Sequence, residues 1–485
     1  MTSHWIGSSL PRPDVYDKVS GRSRYIHDLK LPGMLYGRIK FSSRPHARIL
    51  HIDTSRAEKL PGVKAVITAK NTPEIRIGFL QDNVVLKKDK VRQYRDEVAA
   101  VAATDPEIAA EAVDLIRVEY EDLKTVFSPE EALAPDAPLI HETDPRGRPR
   151  TDNLLPLPWT FSHGDVQRAR DESTHWVEDR FSTKPQAHAS LGTTGCLALF
   201  DLQNNLTIHA KTQIPYLAQK EFRQALEKMG LKDKNVRVLV PELGGSFGSG
   251  LDTHAYEFIA ILLAHAASRP VRIVMTREEE FACLSPRQAT QTTISQGCDQ
   301  DGRLTFRKIE MTLDNGAYTS WGATTPSVMM LPVSSLYRVP NIWYQTRIVY
   351  TNNTYAQAMR GYGNPQATWA LESNLDQLAE EASMDPAELR MINRNHPGET
   401  TPMGLKITTC GFRQCLEKVE NALDWRRKRG QGRNSSRGVG MASLFHTGGG
   451  ARVYRSDATG VILKIDDFGG VQVLTGGIEM GQGLV

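Results

Sequence analysis

The segment HAYEFIAILLAHA, residues 254–266, is apolar around its whole circumference, with Tyr256, Ile259, Ile261 and Leu263 on different sides of one helical cylinder. Such a helix has no face to give to water and is stable only when other elements enclose it. Strand-like runs at 194–200, 236–240 and 271–275 and helical runs at 216–229, 253–267 and 366–383 can supply that enclosure. A short helix started by Asp385-Pro386 follows them. Mixed layers of helix and sheet are therefore expected, an α+β class overall.

The region before this is a smaller unit of its own. Residues 36–41 and 63–68 read as strands, and VAAVAATDPEIAAEAVDLIRVEY reads as strand, helix, strand, with Pro106 suited to a first helical turn. The unit ends near Leu123. The following APDAPLIHETDPRGRPRTDNLLPLP is rich in proline and charge, without apolar periodicity, and reads as a connector with a boundary close to Arg150. A second polar break, WRRKRGQGRNSSRG from Trp425, precedes strand-like runs at 461–465 and 471–474. The expected divisions are thus 1–150, 151–425 and 426–485.

Charge and cysteine usage remove several function classes. Lys and Arg number 59 against 56 Asp and Glu, a net charge of +3, so no overall excess favours nucleic acid or a membrane surface. The cluster Arg426, Arg427, Lys428, Arg429 lacks the interleaved aromatics of a nucleic-acid platform and reads as a solvated linker. The five cysteines contain no C-x-x-C pair and suit neither a disulfide framework nor iron–sulfur ligands; reduced thiols in the cytoplasm are expected. The opening MTSHWIGSSLPRPDVYDK has no apolar h-region, and no later run has the length of a membrane span.

Three stretches carry chemistry. VRVLVPELGGSFGSG places Gly244, Gly245, Gly248 and Gly250 between a strand and a helix, where backbone amides can approach an anion or a polar cofactor. It is neither a Walker loop nor a G-x-G-x-x-G turn, which weakens a nucleotide or phosphate-binding reading. In AMRGYGNPQ, Arg360 brings a rigid fork of donors beside a tight Gly-Tyr-Gly turn. In GGIEMGQGLV, Gly481, Gln482 and Gly483 bring backbone amides and a carboxamide to one point.

In this order and separation, GGSFGSG, MRGYGNPQ and GGIEMGQG resemble the large subunit of the molybdenum hydroxylases, the xanthine dehydrogenase and aldehyde oxidase family. GRSRYIHDLKLPGMLYGRIKFSSRPHARILHIDTSRAEKLPGVKAVIT resembles the opening a/b hammerhead domain of that subunit. The 4-hydroxybenzoyl-CoA reductase α-subunit looks closest among its members. The resemblance implies mixed α/β molybdopterin-binding domains after the hammerhead and a molybdenum–molybdopterin cofactor, in plain or cytosine dinucleotide form. It also implies iron–sulfur clusters and FAD on partner subunits. Carried over by position, Gln186, Phe247 and Arg360 stand beside the metal, and Gly245, Ser246, Gly248 and Gly481 to Gly483 hold the pterin. His188 is read as a hydrogen-bonded histidine, because no second ligand stands at metal-binding spacing.

Two departures sharpen the expectation. Leu251 occupies the place of the glutamate that recognises a purine in xanthine-oxidising members, and Tyr362 matches a position over which a planar ring stacks. An aromatic or heteroaromatic substrate, or its CoA thioester, is expected, hydroxylated oxidatively or dehydroxylated reductively. The family's catalytic glutamate lies in a Gly-x-Gly-Glu motif that this sequence lacks, so a second large-subunit polypeptide is expected to supply it. A non-catalytic scaffold of the same fold and an aldehyde-oxidising enzyme are the alternatives.

Overall fold

The computed structural model describes residues 7–429, 436–446 and 459–484. Two sheets organise the chain. The first has seven strands in the order Val236–Leu239, Leu206–Ala210, Gly195–Phe200, Val271–Val274, Leu35–Phe41, Glu97–Ala103, Val63–Thr68. Strands from residues 35–103 and from residues 195–274 thus share one hydrogen-bonded layer. They join where Leu35 to Gly37 run parallel to Val271 to Ile273. That seam is close, since a Cβ on Gly37 would lie 2.5 Å from Ile273 Cγ1.

The apolar helix is Ala255–Ala267, and ten of its residues, from Ala255 to Ala264, are buried against this sheet. Fully burying side chains of the Leu, Ile or Phe type stabilises by about 1.5–3 kcal/mol each. The helix therefore works as the main anchor of the first core. Its N-terminus is closed by its own residues: Glu257 accepts from the His254 backbone N–H at 2.8 Å.

The second sheet orders His175–Thr183, Thr290–Cys298, Leu304–Gly316, Asn341–Tyr350 and Thr160–His163, backed by helix Asn364–Glu381. Its strand Thr290–Cys298 is polar in sequence yet almost wholly buried. Gln296 explains how: its Oε1 accepts from Arg307 Nε at 2.8 Å and its Nε2 donates to Asn374 Oδ1 at 2.8 Å. A buried polar strand is stable when its side chains are paired in this way.

The segments read as a connector and as a polar break each dock through a few buried residues, while the basic cluster Arg426 to Arg429 is exposed as expected. In the proline-rich connector, Ile140, His141, Asn153 and Leu155 are buried, and Asn153 Nδ2 donates to the carbonyls of Ala132 and Pro138, each at 3.0 Å. Trp425 is 2% exposed, with its indole N–H on the Asp385 carboxylate, and Trp425–Arg429 forms a short helix. In both cases the apolar residues were too few to show a period, and contacts with distant elements decide their burial. Residues 430–435, in the middle of the second break, lie outside the described residues. No described helix is long and apolar enough to cross a membrane.

Candidate active site

The two glycine-bearing loops meet back to back. Gly248 has φ +112°, and a Cβ there would sit 2.6 Å from the Ala358 carbonyl oxygen and 3.0 Å from Met359 Cα. Only a glycine permits this approach without displacing main chain. The contact is reinforced by the Arg360 N–H donating to the Phe247 carbonyl at 2.7 Å. The flanking glycines let two aromatic residues, Phe247 (φ +54°) and Tyr362 (φ +46°), take left-handed backbone. Non-glycine residues in that region cost about 1–3 kcal/mol and gather at functional sites.

Around this junction lies a cavity of about 1830 Å³. Gly245, Phe247, Gly248, Leu251, Arg360, Tyr362, Gly481 and Gln482 line it, so all three motifs converge on one space. Ser246 lies fully buried behind the wall, its hydroxyl donating to Gln213 Oε1 at 2.8 Å. Gln213 was not anticipated. The same oxygen accepts from Gly248 N–H at 2.9 Å, and its Nε2 contacts Met480 Sδ at 2.8 Å, joining the first loop to the terminal one.

Gln186 is not part of the wall. Its main chain forms an isolated bridge with Arg287, and the residue is exposed. His188 is held as expected, with Nε2 at 2.9 Å from the Ala358 carbonyl; burial lowers its pKa. In the terminal loop the backbone amides converge on a carboxylate of the same turn. Glu479 accepts from the N–H groups of Gly481 at 2.6 Å, Gly483 at 3.3 Å and Leu484 at 2.6 Å. Gln482 folds onto its own loop, Nε2 donating to the Ile478 carbonyl at 2.7 Å. This carboxylate shapes the turn, and Arg12 pairs with it at 3.2 Å.

Arg360 brings a positive charge to the cavity wall. Among the described residues the Arg360 side chain has no hydrogen-bonding or ionic partner. Beneath it, the buried Arg287 donates to Gln366 at 2.9 Å and to the Arg360 carbonyl at 2.6 Å, while its Nε has no partner among the described residues. Lys211 is also buried; its ammonium donates to the Gly192 carbonyl at 2.9 Å and burial pulls its pKa down. The buried acids Asp252 and Glu257 are pushed by burial up to about 7 and about 8. Unmatched guanidinium charge beside a glycine-lined cavity suits an anionic cofactor. Among the described residues no group of three or more His, Cys, Asp or Glu could hold a metal ion.

Comparison with known proteins agrees with that chemistry. Residues 20–124 match the aldehyde oxidase and xanthine dehydrogenase a/b hammerhead domain, residues 148–394 a molybdopterin cofactor-binding domain, and residues 416–485 a second such domain. The chain is 33% identical over 423 residues to the nicotinate dehydrogenase large molybdopterin subunit of Eubacterium barkeri, spanning 86% of this chain and 96% of that one. This chain belongs to the molybdenum hydroxylase family. Within the family it is 32% identical over 489 residues to the xanthine dehydrogenase molybdenum-binding subunit of Escherichia coli O157:H7, covering 97% of this chain and 63% of the relative. The chain thus spans less than two thirds of the length of that relative. Its fold resembles the aldehyde oxidoreductase of Desulfovibrio desulfuricans, with TM-score 0.84 and 25% identity over 96% of this chain and 52% of that one. It also resembles the CO dehydrogenase of Oligotropha carboxidovorans, with TM-score 0.80 and 27% identity over 87% and 55%. As a member of that family, the chain carries molybdopterin cofactor-binding domains of its large subunit, which indicate a molybdenum cofactor.

Proposed function

We propose that this chain forms the cofactor-facing half of a molybdenum hydroxylase acting on an aromatic or heteroaromatic ring, with the catalytic glutamate supplied by a separate polypeptide. The observation that carries the reading is the single cavity in which GGSFGSG, MRGYGNPQ and the terminal loop converge. A molybdenum ion in dithiolene sulfur would supply two-electron redox chemistry there. The chain's own residues bind and orient. Arg360 offers an unpaired charge to anionic groups, and Gly245, Gly248 and the terminal loop let backbone approach closely. Phe247 and Leu251 keep water from one wall.

Leu251 in place of a carboxylate favours a ring without strong hydrogen-bonding needs, and so speaks against a purine. Tyr362 is a fixed plate, its hydroxyl donating to the Trp321 carbonyl at 3.0 Å. The cavity's size also accommodates a ring carrying a thioester, and the reductive reaction uses the same groups in reverse. Two observations support a companion large-subunit polypeptide. The hairpin Val461–Ile465 and Val471–Thr475 is exposed along both strands, with Phe468 fully exposed. A two-stranded ribbon with apolar side chains in water is marginal by itself. The extensive match to the nicotinate dehydrogenase subunit also shows that a relative named as a subunit can have nearly this extent. Electrons would leave through separate iron–sulfur and flavin subunits, since the five cysteines here are free and scattered.

Elemental analysis of the protein, purified with the chains that accompany it, tests the reading. Molybdenum near one atom per chain is expected, with a companion carrying Gly-x-Gly-Glu. An assembly that holds no molybdenum after reconstitution overturns it.

A further inference from the structure

We infer that Trp321 selects for planar rings in this cavity, and that the 78–82 loop of the N-terminal region holds it in place. The inference rests on the aromatic-substrate reading above. Trp321 opens the short turn Trp321–Thr324 and lines the cavity together with Leu251, Val328 and Tyr362. Its carbonyl accepts from Tyr362 Oη at 3.0 Å and from Thr324 Oγ1 at 2.9 Å, so the two aromatic residues of this wall are tied to one point.

The indole is braced from outside by Phe79, whose ring stands edge-on to it at 5.9 Å between centroids and 62° between planes. Phe79 comes from sequence more than two hundred residues away, and its loop is clamped on the residues just before Trp321. Gly78 has φ +92°, and a Cβ there would fall 2.3 Å from the Thr319 carbonyl oxygen. Phe79 N–H donates to that carbonyl at 3.1 Å, and Leu80 N–H donates to Thr319 Oγ1 at 2.9 Å. Asp82 accepts from Thr319 N–H at 3.0 Å and from Tyr350 Oη at 2.7 Å, which fixes the loop to the second sheet. On the other side the Ser320 hydroxyl donates to Asp252, next to Leu251.

The main chain of Trp321 is therefore held by the N-terminal loop, by the glycine-loop segment and by Tyr362. An indole fixed in this way meets a planar ring with its face or edge and gains little from a puckered one. Phe79 is a positioning residue, since it does not line the cavity.

The test compares quinoline with decahydroquinoline by calorimetric titration of the purified assembly, with molybdenum content measured on every sample. Trp321→Ala should weaken quinoline about tenfold, leave decahydroquinoline within about twofold, and keep its molybdenum. Trp321→Phe should retain most of the preference, and Phe79→Ala should lose about threefold of it. A Trp321→Ala protein with its molybdenum and an unchanged quinoline preference overturns the inference. Should Trp321→Ala not fold, an unchanged preference in Phe79→Ala overturns it equally. Absence of molybdenum from the wild-type assembly counts against the functional reading, while the ring preference is still read from the titration.

Discussion

Replacing Gly248 by alanine separates the two loops that create the cavity. The substitution adds one methyl group to a position with φ +112°, where the new Cβ would lie 2.6 Å from the Ala358 oxygen. Holding a non-glycine residue at such a φ costs about 1–3 kcal/mol. Forcing an atom into packed backbone costs about 1–3 kcal/mol more. The neighbours are main chain and have no side-chain rotamer to escape into, so the loops must part or the strain remains. Gly398 supplies the control: its φ is +94° and nothing lies within 4 Å of an added Cβ. Gly398→Ala should therefore lose only the backbone contribution, about 1–3 kcal/mol. Urea unfolding midpoints and bound molybdenum, measured on both variants of the assembled protein, make the comparison. Gly248→Ala should be the less stable of the two and alone should lose molybdenum. Equal destabilisation with equal molybdenum would refute the claim that close contact between the loops builds the site.

Further outcomes follow from other parts of the structure. Arg390 is fully buried with Nε 2.9 Å from Glu372, which also accepts from Tyr337 Oη at 2.7 Å and Ser443 N–H at 2.6 Å; Arg390→Met should cost about 3–5 kcal/mol in thermal or urea unfolding by leaving that carboxylate unpaired. Asp252 is raised by burial from 3.8 to about 7, so the folded state holds a proton that the unfolded chain releases. Its contribution is fully present below about pH 4 and is lost as pH rises through about 7. Asp252→Asn should therefore flatten the fall in unfolding midpoint across that window, and an unchanged slope would count against the assignment. Replacing Ile462 and Val473, both exposed on the hairpin, with lysine should leave the unfolding midpoint within about 0.5 kcal/mol. It should also reduce recovery of the companion chain on co-purification.

Much of the architecture could be read locally. The 3.6-residue repeats behind helices Pro215–Lys228, Ala255–Ala267 and Asn364–Glu381 are intact in the sequence, and the structure moves their ends by only one or two residues. The strand Thr290–Cys298 escaped because its buried side chains are Thr, Ser and Gln, which look like a surface until Arg307 and Asn374 arrive to pair with them. Gln186 matched a motif position, and the structure adds only its main-chain bridge to Arg287. Gln213 carried no local signal, since its value lies in reaching Ser246, Gly248 and Met480 at once.

Glycine placement and apolar periodicity, which act over a few residues, are enough to specify the helices, the tight loops and the family to which those loops belong. The cavity itself is a property of the folded chain. Arg360 is left without a counter-charge and Trp321 gains its brace from Phe79 only once segments tens to hundreds of residues apart are packed together. Such contacts depend on distance and burial between remote segments, and these quantities leave no periodic trace along the sequence.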